Sequence, residues 1–107
     1  MDGYKMGEIS TCAYLVVRGK PLALVDVPKK WLDEAINIAT NRYGLKVHIE
    51  DFDEGTAFLF MYKYPHILEV IKAVYKKPET VFAHWVWGKL FGYEEAAIAD
   101  YIAKKTG

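Results

Sequence analysis

Cysteine occurs once and serine once in 107 residues, and 14 basic side chains are matched by 14 acidic ones. The lone thiol, Cys12, excludes an intrachain disulfide and any zinc site built from several cysteines. With Ser10 the only serine, nucleophilic side chains are scarce and covalent catalysis is a poor expectation. Zero net charge leaves no basic excess to draw in a polyanion. No apolar run approaches the ~20 residues that cross a bilayer. Met1–Lys5 lacks the basic-then-apolar pattern of a secretory leader. A cytoplasmic protein without membrane contact is therefore expected. Phosphate loops, nucleophile elbows and dinucleotide fingerprints are also missing, so no cofactor is expected.

What the chain does have is apolar mass. Apolar residues make up 52% and aromatics 15%, enough for a packed core and well away from disordered composition. The length suits one domain over 1–107.

Residues 1–9, with Gly3 and Gly7, read as a loose arm. Ser10–Arg18 is β-branched and aromatic-rich and reads as a strand running into the turn Gly19-Lys20-Pro21. Leu22–Val27 reads as a second strand. Pro28 fits a first helical turn, and Trp31, Leu32, Ala35, Ile36, Ala39 and Tyr43 recur at helical spacing up to Gly44. Leu45–Phe52 reads as a third strand, Asp53-Glu54-Gly55 as a turn, and Thr56–Tyr64 as a fourth strand. Pro65 then opens a helix with Ile67, Leu68, Ile71, Val74 and Tyr75 inward, closed by Lys76-Lys77-Pro78.

The pairs Val27-Pro28 and Tyr64-Pro65 stand 37 residues apart. This suggests two ββα units over 10–77 forming a four-stranded, mainly antiparallel sheet with helices on one face. Residues 78–107 read as an αα-hairpin. Gly88 allows close approach, Gly92 makes the turn and Ile98 packs back. The fold class is thus α+β.

The fourth strand is the most informative segment. Alternation sets Phe58, Phe60, Tyr62 and Tyr64 on one face and Ala57, Leu59 and Met61 on the other. Both rows are apolar, so both need a cover. Trp85 and Trp87 fall on different sides of one helix. One tryptophan suits a core and the other an interface, where tryptophan is enriched. Phe58, Phe60, Tyr62, Tyr64, Trp85, Trp87 and Phe91 are the candidate interface residues.

Three other features could carry chemistry. Gly88–Ile98 resembles the helix–turn–helix pattern of DNA-binding repressors, which implies a recognition helix beginning near Glu94. Its leading residues, Glu94 and Glu95, would repel phosphates. Gly55–Leu59 shares a fragment of the strand pattern of RNA-recognition motifs. Glu54, Thr56 and Met61 depart from it where a basic residue and aromatics are needed. Glu50, Asp51, Asp53 and Glu54 crowd a turn and could meet a cation or a basic partner. His48, His66 and His84 show no ligand spacing of their own.

The reading these features support is a non-catalytic binding or regulatory module acting through protein–protein contacts, itself a homo-oligomer. The alternatives are a nucleic-acid module using strand 56–64 or hairpin 78–104, and a metal-assisted enzyme at turn 50–54. The nucleic-acid reading needs a continuous basic surface drawn from Lys20, Lys29, Lys30, Arg42, Lys46, Lys76 and Lys77.

Overall fold

The first helix, α1 (Gly3–Val17), opens on Asp2, whose carboxylate accepts the Lys5 backbone N–H at 2.8 Å. This is an ordinary N-cap, satisfying one of the donors that a helix start leaves orphaned. The helix closes on Gly19, at φ +125°, with Lys20 N–H donating to the Leu15 carbonyl at 3.0 Å. A residue there must leave right-handed space, which glycine does without penalty. The structure is a computed structural model that describes residues 1–74, 81–92 and 94–106.

Helix α1 corrects two expectations. Residues 10–18 are not a strand, and residues 3–9 belong to the same helix. Ile9, Ala13 and Val16, at helical spacing, are fully buried against the sheet. Packing on β1 therefore outweighs the modest strand preference of the Thr11–Val17 run.

Strand β1 (Leu22–Pro28) follows. A 3-10 turn (Lys29–Trp31), helix α2 (Leu32–Asn37) and a wide π turn (Ile38–Arg42) lead to β2 (Lys46–Asp51), β3 (Thr56–Tyr62) and α3 (Pro65–Val74). Helices α4 (Val81–Leu90) and α5 (Glu95–Thr106) complete the order. The expected helix end at Lys76-Lys77-Pro78, together with Tyr75, lies outside the described residues, as does the expected start at Pro78-Glu79-Thr80.

Among the described residues the sheet has three antiparallel strands in the order β1-β3-β2, not four in paired ββα units. The class α+β holds. The missing strand is the segment that became α1. In register, Leu24 lies opposite Phe60, and His48 lies opposite Phe60 from the other side. Strands β1 and β2 both run against β3, so β3 is central and the other two are edges.

Helices cover both faces of the sheet, not one. The two apolar rows of β3 demand this. Leu59 and Met61 pack with Ala23, Val25 and Val27 of β1 beneath α1 and α2. Phe60 and Tyr62 pack with Leu22 of β1 beneath Ile67 and Ile71 of α3 and Leu90 of α4. A single helical layer would have left one of these rows in water.

The C-terminal helices form a tight hairpin. Gly92 takes φ +80° at the turn. A Cβ placed on Gly88 would fall 2.5 Å from Ile98 Cγ1. Only glycine allows Ile98, itself buried, to seat against α4. No helix among the described residues is long and apolar enough to cross a membrane.

Candidate functional site: the open end of the aromatic face

The face of the sheet beneath α3 and α4 is closed at one end and open at the other. At the closed end, Phe60 is 0% exposed and Tyr62 4%. Burial pushes the Tyr62 phenol above its ordinary range. Phe60 lies 6.2 Å from Trp87, nearly parallel, and Trp87 stacks on Phe91 at 5.4 Å. Phe60 and Tyr62 are thus absorbed by the chain's own core. Trp87 and Phe91 are half-buried on the side of α4 that faces it.

At the open end, register places Asp26, Phe58 and Glu50 side by side across the three strands. Phe58 is half-buried. Its ring lies 4.9 Å from that of Phe52, which is 62% exposed just past the end of β2. The result is an aromatic pair with a carboxylate on either side. His48, one rung inward, lies 3.0 Å from Glu50 Oε1 through Nε2 and 5.9 Å from the Phe60 ring.

The remaining interface candidates lie apart from this rung. Tyr64, 56% exposed, follows the end of β3 and stacks on His66 at 6.0 Å. Trp85, 42% exposed, occupies the outer side of α4 with the Lys89 ammonium 5.4 Å from its ring centre. The two tryptophans do fall on different sides of the helix.

The acidic turn has a structural occupation. Asp53 Oδ1 accepts the N–H groups of Gly55 at 2.9 Å and Thr56 at 2.8 Å, closing the β2–β3 hairpin. Asp51 pairs with Lys29 at 3.3 Å. The histidines are dispersed: His84 meets Tyr101 edge-on at 5.5 Å, His66 stacks on Tyr64, and His48 pairs with Glu50. Among the described residues, no three His, Cys, Asp or Glu side chains converge as metal ligands would. Cys12 is half-buried in α1, and burial raises its thiol above the usual range, away from reactive thiolate character.

Phe52 was absent from the sequence-based candidates. It reads there only as the last residue of the third strand. Only the shape of the hairpin reveals that its ring leans on Phe58 from solvent. The signal available was the interruption of four carboxylates by one large aromatic at 50–54.

No protein family matches the chain, and comparison with curated proteins and with solved structures finds no match. The function must therefore be argued from the chain's own surface.

Proposed function

We propose that the protein is a non-catalytic binding module acting through protein–protein contacts, with a second copy of itself as its first partner. The observation that carries this reading is the exposed Phe52 ring against Phe58, flanked by Asp26 and Glu50. A soluble surface gains nothing by holding a large ring in water, and exposed apolar groups with a polar rim are the usual makings of an interface. Asp26 lies 3.8 Å from the Lys5 ammonium and Glu50 3.0 Å from His48, and this partly answered carboxylate rim favours a partner that brings apolar and basic side chains together. The same carboxylates, with Asp51, Asp53 and Glu54 on the adjoining turn, oppose a phosphate backbone. The nucleic-acid alternative therefore ranks second.

Light scattering on protein eluting from a size-exclusion column at high micromolar concentration tests this. Association that Phe52→Ser weakens, with far-UV circular dichroism unchanged, supports the reading. A strict monomer counts against self-association.

A further inference from the structure

The two edges of the sheet are not equally finished. The Lys29 N–H donates to the Gly55 carbonyl at 2.8 Å, and the Phe52 N–H to the Thr56 carbonyl at 3.2 Å. Antiparallel ladders alternate, so these two bonds fix which backbone groups point where. In β2, Lys46, His48 and Glu50 turn their backbone groups toward β3. Val47, Ile49 and Asp51 turn theirs to the free side. Among the described residues no other strand lies beyond β2. An open edge of this kind is a template for another strand.

We propose that β2 pairs antiparallel with β2 of a second copy, across a two-fold axis at His48. The proposal deepens the reading above, on which it rests for taking a second copy as partner. Two-fold pairing of one edge can join only residues of equal parity, because both must point outward. Three registers then need comparison. Centring on His48 sets Lys46 opposite the partner's Glu50 on one face, and Val47 opposite the partner's Ile49 on the other. Opposite charges meet, and apolar side chains meet, on both sides of the axis. Centring on Ile49 would set His48 opposite the partner's Glu50, but it would put apolar Val47 against the Asp51 carboxylate, which Lys29 holds at 3.3 Å, and Lys46 against Phe52. Centring on Val47 would set Lys46 against His48, with no carboxylate between them.

In the favoured register the N–H groups of Val47 and Ile49 donate to the carbonyls of the partner's Ile49 and Val47. The two His48 side chains form the closer, non-hydrogen-bonded pair. The product is one antiparallel sheet in the order β1-β3-β2-β2-β3-β1. It joins the two Glu50–Phe58 rungs, one from each copy, along the same sheet face.

The register can be read directly. In a non-hydrogen-bonded antiparallel pair the Cα atoms are about 4.5 Å apart, within disulfide reach. On a Cys12→Ala background, His48→Cys is expected to cross-link into a disulfide dimer under mild oxidation, and Glu50→Cys is not. As a second route, Lys46→Glu should weaken the dimer about tenfold, as two like-charge pairs replace two attractive ones. Adding Glu50→Lys should restore it. A dimer that persists without the His48→Cys cross-link, and that ignores the charge swap, overturns the edge pairing but leaves the binding reading standing. A monomer at every concentration, for wild type and variants alike, overturns both.

Discussion

Strands β1 and β2 occupy equivalent places on either side of β3, yet only one edge is finished. Alternation puts the Asp26 carbonyl on the free side of β1, and Lys5 of α1 donates to it at 2.9 Å. The same ammonium pairs with Glu8 at 2.5 Å and lies 3.8 Å from the Asp26 carboxylate. Pro21 precedes β1 and Pro28 ends it, and proline cannot donate to a further strand. Leu22, Ala23, Val25 and Val27 of β1 are all buried. Strand β2 has no proline, and each of its residues is half-buried or exposed. What protects an edge here is what the rest of the chain lays beside it. Helix α1 does this for β1, whereas among the described residues no further strand lies beside β2.

Four changes would break or sharpen this contrast. The largest effect is expected from Phe60→Ala, which hollows the core that α3 and α4 place over β3. A loss of about 3–5 kcal/mol is expected by urea denaturation. Both edges hang on β3, so both should fail together, with the dimer lost alongside the fold. Gly88→Ala should cost about 1–3 kcal/mol, because the new methyl collides with Ile98 and overpacks the hairpin. The new methyl falls at the α4–α5 contact and not on the outward groups of β2, so the melting temperature should fall while light scattering reports unchanged association.

Lys5→Met removes the cap from β1. A loss of about 1 kcal/mol is expected, together with association beyond a dimer as a second edge opens. The pH dependence carries a sign. Burial pulls the Lys5 ammonium down, but the hydrogen bond to Glu8 and the charges of Asp26 and Glu8 outweigh it, so the group lies above its ordinary value of 10.5. The stability it contributes is present below that value and is lost as pH rises through the folded-state value. Alkaline denaturation curves of wild type and Lys5→Met should therefore draw together above pH 10.5 and converge only past the raised folded-state value. The smallest effect on the monomer is expected from Val47→Pro. It deletes an outward N–H that β3 does not use, so it should abolish the dimer and spare the far-UV spectrum.

Much of this arrangement is legible in the sequence. The alternation of Thr56–Tyr62, the proline at the start of α3, and the roles of Gly88, Gly92 and Ile98 all follow from period and turn chemistry. Two points do not. Helix α1 hides behind the β-branched and aromatic run Thr11–Val17, whose strand preference is local. Its helical signals were Asp2 as N-cap, Gly19 as the left-handed residue after the last turn, and Ile9, Ala13 and Val16 at helical spacing. Misreading α1 also forces a fourth strand and a single helical layer, although the two apolar rows of β3 call for two. The aromatic candidates divide for a similar reason. Period places Phe58, Phe60 and Tyr62 on one face but is silent on how far along that face α3 and α4 reach. Tyr62 and Phe60 fall under them, and Phe58, with the unforeseen Phe52, lies at the open end.

Hydrogen exchange at single amides tests the contrast most directly. The Leu24 N–H on β1 and the Val47 and Ile49 N–H groups on β2 all point away from β3. As protein concentration rises from about 10 µM to about 1 mM, exchange at Val47 and Ile49 should slow with the fraction of dimer while Leu24 stays constant. Rates at Val47 and Ile49 that do not change with concentration would contradict the account.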